Sequence, residues 1–354
     1  MLETLSPTIL DCTLRDGSYA INFQFTAADT RMIAGELDAI DIPYIEIGHG
    51  VGLGASLRGY GEAAETDLAY LEAAAETVRR GKFGMFCIPG VASLDDLVMA
   101  ADHGMGFVRI GTEVQEVETS APFVERAKKL GLVVMSNFMK SYAIPPHAFA
   151  QKALLSASYG SSLVYLVDSS GGMTPTEVID YVRAVREVSN IPLGFHGHNN
   201  LGLAVANSLC ALQEGVTLVD SSLQGLGRSA GNAPTEILAV LMQRLGYLPN
   251  IDYLALMDVS EKFVRPLVHR RGISSLDIIC GSAQFHSSYM RVIRRFSSQY
   301  GVDPRKLILR LTEHTKTSAP ADLVAKIAKQ ISQETQEVFT ARYEFDEYHG
   351  EEQK

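Results

Sequence analysis

The run Phe195-His196-Gly197-His198-Asn199-Asn200 sets two imidazoles two residues apart at the end of a short apolar stretch. On an extended chain, positions i and i+2 face the same side at a spacing of about 6 to 7 Å. His196 and His198 can therefore converge on one ion, and neutral imidazole suits manganese, zinc, cobalt or iron. Gly197 leaves room above such an ion, and Asn199 or Asn200 can cap a following helix. Two core or capping histidines would give the same pattern. A second signal, Leu10-Asp11-Cys12-Thr13-Leu14-Arg15-Asp16-Gly17-Ser18, closes another apolar run. Asp16 offers a hard carboxylate oxygen and Arg15 a permanent cation beside it, so a metal and a guanidinium could share one anionic substrate and steady a developing enolate. A plain Arg15–Asp16 pair at a turn would use the same two residues.

The elements that must position these residues are legible as an alternation. Short β-type runs recur at 8–12, 44–47, 83–88, 107–110, 132–135, 163–167, 193–196 and 217–219. Helical patterns lie between them, such as 62–80 ending at Gly81, and 175–188 behind Thr174, with Glu177 completing a capping box. Parallel strands need crossovers of this length, and eight such units make a closed barrel. An open doubly wound sheet competes, but the first strand-to-helix turn has no glycine-rich phosphate fingerprint. The polar residues of interest also gather after several different strands, whose loops share one face in a barrel. The expected fold is α/β, a (β/α)8 TIM barrel over 1–260, with a small helical region over 261–340 and a polar, acidic tail over 341–354. Helices are expected there at 256–267, 287–300, 303–311 and 321–339.

Composition narrows the partners. The 354 residues are 46% hydrophobic and 20% charged, enough apolar surface to bury a large core. A formal charge of −10 repels phosphate backbones, and no basic stripe with interleaved aromatics offsets it, so no nucleic acid is expected. Residues 1–7 lack the basic and apolar regions of a signal peptide, and no apolar run approaches a membrane span, so a cytoplasmic protein with no membrane contact is expected. Cys12, Cys87, Cys210 and Cys280 are widely spaced in apolar runs and read as buried reduced thiols.

Residues 11–17, Glu46-Ile47-Gly48-His49-Gly50 and 196–200 together resemble the DRE-TIM metallolyases, and within them the 4-hydroxy-2-oxovalerate aldolases most of all. The likeness continues through Gly52-Leu53-Gly54, Val167-Asp168-Ser169, Gly225-Leu226-Gly227 and Ala230-Gly231-Asn232, and weakens in the middle strands and beyond residue 300. The resemblance implies Asp16, His196 and His198 as metal ligands and Glu46 as the carboxylate that supports Arg15 and the metal shell. It implies a divalent metal, with Mn or Mg foremost and Co or Zn admitted by the two imidazoles. It implies a retro-aldol reaction in which a base takes the C4 hydroxyl proton and the C3–C4 bond breaks, giving pyruvate or a homologue and an aldehyde. Metal and Arg15 would stabilise the enolate. Ser169 would hold the substrate carboxylate. Three further residues stand after strand ends: His49 could line the pocket, Glu113 could meet the far end of the substrate and Asn232 could approach the metal or the substrate, or each could serve as a cap, turn or loop contact.

Two departures from the family pattern matter. At position 19 the aldolases carry the histidine taken as the base, and this chain has Tyr19. A tyrosine with a pKa of about 10 is a poor base at neutral pH. The run Gly281-Ser282-Ala283-Gln284-Phe285-His286-Ser287-Ser288 replaces a family run resembling Gly-Tyr-Ala-Gly-Val-Tyr-Ser-Ser. Tyr19 and His286 are therefore expected to have exchanged roles, with His286 supplying the acid/base group, unless His286 is an ordinary surface histidine at a helix start. The same changes point to a larger or more polar aldehyde. Two other functions use the same sequence features. One is a Claisen condensation of an acyl-CoA with a 2-oxo acid, although the Glu-Gln that usually follows Arg-Asp-Gly in such enzymes is absent at Ser18-Tyr19. The other is a non-catalytic barrel that binds a metal or metabolite, for which the change to Tyr19 speaks. The resemblance also implies an acylating aldehyde dehydrogenase docked on the C-terminal helices; that region diverges here, which counts against the partner. A homodimer is expected.

Overall fold

The computed structural model describes residues 6–268, 272–334 and 345. Its strands are β1 (Thr8–Asp11), β2 (Tyr44–Glu46), β3 (Lys82–Cys87), β4 (Phe107–Glu113), β5 (Val133–Met139), β6 (Leu163–Asp168), β7 (Leu193–Gly197) and β8 (Leu218–Ser221). They pair in parallel in sequence order, and β8 returns to β1 to close the barrel. Both faces of each strand are covered, which is why the runs read as continuous apolar stretches rather than alternating ones. β4 and β5 extend beyond the expected ends because they pair along seven successive positions, from Phe107 with Val133 to Glu113 with Met139.

The intervening helices are α1 (Ala27–Ala39), α2 (Asp67–Ala75), α3 (Leu94–Asp102), α4 (Ala121–Lys129), α5 (Pro146–Tyr159), α6 (Pro175–Val188), α7 (Ala204–Gln213) and α8 (Thr235–Arg244). α6 starts with the reciprocal Thr174–Glu177 box that the sequence pointed to. The helix expected over 62–80 is shortened at both ends. Thr66 caps it by accepting the Ala69 N–H, and the Asp38 carboxylate takes the N–H groups of Arg79, Arg80 and Gly81, drawing that segment out of the helix.

Beyond the barrel come α9 (Tyr253–Val259), α10 (Ser275–Ala283), α11 (Met290–Tyr300), α12 (Pro304–Thr312) and α13 (Ala321–Ser332). α9 runs on through a wider turn, Ser260–Val264, and a tighter one, Arg265–Leu267. α10 was not expected; its start is fixed by a Ser274–Asp277 capping box, and its apolar face joins Phe285, Ile293, Leu307 and Ile327 in a second core. The part of the expected 321–339 helix past residue 334 lies outside the described residues, as does the 341–354 tail apart from Phe345. All four cysteines are free; Cys12, Cys87 and Cys280 are buried, whereas Cys210, on the outer helix α7, is only half-buried, contrary to expectation. Among the described residues no helix is long and apolar enough to cross a membrane.

Candidate metal centre and catalytic site

The chemistry-bearing side chains collect at the C-terminal end of the barrel strands, the face on which loops from every strand meet. Asp16 follows β1 in a short helical turn (Asp16–Ile21), while His196 and His198 come from the end of β7. All three are buried, and one ligand atom from each lies within 4.8 Å of the others. The two imidazoles are oriented from behind. His196 Nδ1 donates to Asp220 Oδ2 at 2.8 Å, and His198 Nδ1 donates to the Gly231 carbonyl at 3.3 Å. Each Nε2 is therefore left with its lone pair for an ion. Cys12, His196 and Asp220 also approach one another within 4.8 Å. That trio is already satisfied internally, because His196 is bonded to Asp220 and the Cys12 thiol donates to the Ser221 carbonyl at 3.2 Å.

Asn232 completes the Asp16 corner. Its Nδ2 donates to Asp16 Oδ2 at 2.8 Å, while its Oδ1 is buried without a partner among the described residues. A buried acceptor left open beside two imidazole lone pairs and a carboxylate is what a hydrated or substrate-bearing divalent cation would use, so the residues fit such an ion. The backbone approaches closely enough to require glycine: a Cβ on Gly227 would sit 2.7 Å from Asp16 Oδ2 and 2.4 Å from Asn232 Nδ2.

A buried chain of charges stands behind the ligands. Arg15 Nη1 reaches Asp16 Oδ1 at 2.8 Å and its Nε reaches Glu46 Oε2 at 2.7 Å. Arg109 grips the same Glu46 with two nitrogens, at 2.8 and 2.6 Å, and its third contact is a short hydrogen bond to Asp220 Oδ2. The sequence run thus continues in space as Arg15–Glu46–Arg109–Asp220–His196. Burial disfavours the charged form of Asp16, but Arg15, His198, His196 and Arg228 together hold its carboxyl well below the usual range. Burial pushes His198 down to about 3 against the pull of Asp16, so its ring is neutral at physiological pH, the form in which imidazole can bind a metal. Burial likewise works against ionised Asp220, and Arg109 and His196 overcome it and keep its carboxyl below the ordinary value.

The remaining expected residues divide into two groups. Arg228 joins Tyr19 to His286: its guanidinium lies 5.0 Å over the Tyr19 ring and donates to His286 Nε2 at 2.8 Å, while its backbone N–H reaches Asp16 Oδ2 at 3.2 Å. His286 is fully buried, which corrects the alternative of a surface histidine. Burial, then Arg228 and Lys140, push it well below the ordinary imidazole value, so its ring is neutral with Nδ1 against Ser288 Oγ. Ser169 Oγ accepts the Lys140 N–H at 2.9 Å, and Glu113 pairs with the buried Lys140 ammonium at 3.0 Å. His49 stands apart. Its ring stacks on Phe23 at 3.9 Å and both nitrogens are spent on its own loop, with Val51 and Gly61, so it backs Tyr19 through Phe23.

Sequence reasoning did not single out Arg109, Asp220, Arg228 or Lys140. The first two had a signal: each is a lone charge inside an apolar strand run, Phe107-Val108-Arg109-Ile110 and Leu218-Val219-Asp220, where an unpaired charge would be costly. Arg228 and Lys140 sit in loops whose course only the fold reveals.

With this geometry in place, comparison with known proteins fixes the class. The HMGL-like family model matches residues 6–263. The chain belongs to the HMGL-like family, whose model spans the barrel, and it is a metal-dependent carbon–carbon lyase. It is 38% identical over 326 residues to a 4-hydroxy-2-oxovalerate aldolase of Moorella thermoacetica, covering 92% of this chain and 96% of that one. It is 39% identical over 325 residues to a 4-hydroxy-2-oxovalerate aldolase of Geobacillus genomosp. 3, with the same coverage, 92% and 96%. The carboxyl transferase domain of Rhizobium etli pyruvate carboxylase shares the fold, with a TM-score of 0.75, 17% identity and coverage of 95% of this chain and 61% of that one.

Proposed function

We propose that the chain cleaves or forms a 4-hydroxy-2-oxo acid, exchanging it with pyruvate or a close homologue and an aldehyde. The observation that carries this reading is the convergence of Asp16, His196 and His198 beside Arg15 at one buried point. Mn or Mg suits the centre, and Co or Zn is compatible with its two imidazoles. A cation held there supplies Lewis acidity at the 2-oxo group.

The protein's own groups do the rest. Arg15, fixed by Glu46 and Asp16, directs its guanidinium to the oxygen that gains negative charge as the enolate forms. Ser169, whose oxygen is occupied by the Lys140 N–H, uses its hydroxyl proton to hold the substrate carboxylate. His286 Nε2 takes the C4 hydroxyl proton once Arg228 shifts from it. The C4–O electrons form the aldehyde carbonyl, the C3–C4 pair passes into the enolate, and the proton returns to C3 to give the 2-oxo acid. Tyr19, with Arg228 over its ring, walls the aldehyde side. The chain is assigned to the cytoplasm and to a homodimer, with 1–260 as the catalytic unit and 261–340 as a helical appendage.

Pyruvate release from 4-hydroxy-2-oxovalerate and longer homologues by the Mn-loaded protein, followed with lactate dehydrogenase and NADH, tests this reading. Turnover of at least one homologue is expected. His286→Asn should lower kcat by about 10²- to 10⁴-fold while Mn binding is retained. An unchanged kcat removes His286 from the mechanism, and no release from any homologue sinks the aldolase reading.

A further inference from the structure

Arg109 is the largest of the fully buried side chains, and it stands in the barrel lumen. The Phe86 and Tyr165 ring centroids lie 5.5 and 4.8 Å from its Cζ, so the guanidinium is held between two aromatic faces. Tyr44, Phe107 and Leu218 precede Glu46, Arg109 and Asp220 by two residues on β2, β4 and β8, and they belong to one apolar cluster. Strand periodicity therefore puts the three charges one layer higher, toward the loops that carry Asp16 and His198. Buried ion pairs recover little net stability, because desolvation offsets the Coulomb gain. The layer below shows that apolar side chains fill this lumen without any charge.

The contacts of Arg109 reach across the barrel. With eight strands closed in sequence order, β4 lies opposite β8 and two strands from β2, so no backbone ladder ties Arg109 to Asp220 or Glu46. Its Nε and Nη2 hold Glu46 at 2.8 and 2.6 Å, and its Nη1 makes the short hydrogen bond to Asp220 Oδ2. Each carboxylate passes the contact on through a shared oxygen. Glu46 Oε2 also takes Arg15 Nε at 2.7 Å, and Asp220 Oδ2 also takes His196 Nδ1 at 2.8 Å. An oxygen held by one donor from below and one from the site cannot move without changing both bonds. Among the described residues no other side chain bonds to both Glu46 and Asp220.

We propose that Arg109 is a positioning residue that aligns Arg15 and His196 together, through Glu46 and Asp220, so that one guanidinium sets both the cation facing the oxyanion and a ligand of the metal. This rests on the metal centre at Asp16, His196 and His198, and not on which 2-oxo acid is cleaved. The planar fork is what the geometry uses. A lysine ammonium is a point charge and cannot grip two carboxylates from opposite sides of the lumen in the same way.

Binding measurements test this without turnover. Calorimetric titration of Mn into metal-stripped Arg109→Met should show affinity lowered about tenfold or more. Oxalate, which offers an oxyanion like that of the enolate, should also bind the Mn-saturated variant more weakly than the wild type. A merely structural role would lower the denaturant midpoint and act alike in any background. A role through Asp220 instead predicts that Arg109→Met costs less than about threefold in Mn affinity when Asp220→Asn is already present. Arg109→Lys keeps the buried charge, which guards against a variant that merely misfolds, and it should still lose affinity for Mn or for oxalate. Both affinities within about threefold of wild type in Arg109→Lys, or an equal Mn loss from Arg109→Met with and without Asp220→Asn, overturn the proposal. A wild-type protein that takes up no Mn overturns both this and the metal centre. The expected losses in a protein that cleaves no 4-hydroxy-2-oxo acid support the role of Arg109 and refute the aldolase reading alone.

Discussion

Asp220→Asn is a sharp perturbation because it keeps the shape of a buried side chain and changes only its charge and donors. In the native protein Asp220 Oδ2 accepts from both Arg109 and His196 Nδ1, and Oδ1 has no partner among the described residues. An amide must place its NH2 either against those two donors or at the Oδ1 position, on the Tyr165 hydroxyl side. His196 then loses an anionic acceptor and part of its orientation. Loss of such support typically weakens a metal site about 10- to 100-fold, or about 1.4 to 2.7 kcal/mol. Arg109 also loses one of its two buried counter-charges, and breaking a buried pair from one side costs about 3–5 kcal/mol. Titration of Mn into metal-stripped protein reads the first effect, and the denaturant midpoint reads the second. Mn affinity within threefold of wild type, in a variant that remains folded, would refute the claim that Asp220 aims His196 at the ion.

Acidification should destabilise the metal-free protein. His198 (about 3), His49 (about 4) and His286 have folded pKa values depressed by burial, so below about 6.5 the unfolded chain binds protons that the folded chain refuses, and stability falls with pH. Asp11 and Asp168, pushed up to about 6 by burial, work the other way between about 4 and 6, and below that Asp16 and Asp220, both held low, join the loss. Denaturant midpoints at pH 7, 5 and 3.5 should therefore fall, most steeply in the last interval; a flat profile contradicts the assignment of these groups. Light scattering at micromolar concentration should return the mass of a dimer, and a monomer rules that assembly out.

Much of this candidate site was legible along the chain because its proposed ligands are local. His196 and His198 share a face by strand periodicity alone, and Arg15 and Asp16 are adjacent in a turn directly after an apolar run. The barrel followed from eight alternating units, since each apolar strand demands cover on both faces. α6 began where its capping box said it would, because that box is a contact between residues three apart.

What only the tertiary structure decided are contacts between loops distant in sequence. Arg109 and Asp220 are 111 positions apart, and Arg228 and His286 are 58 apart. No local pattern records that Arg109 bridges Glu46 to Asp220, or that Arg228 couples Tyr19 to His286. His49 shows the converse: its motif matched a family run, but packing on Phe23 spends both of its ring nitrogens on the loop. The sequence determines which residues carry charge and which strands must be buried. Closure of the barrel decides which of those charges face one another, because a buried charge settles only where its counter-charge arrives from another strand.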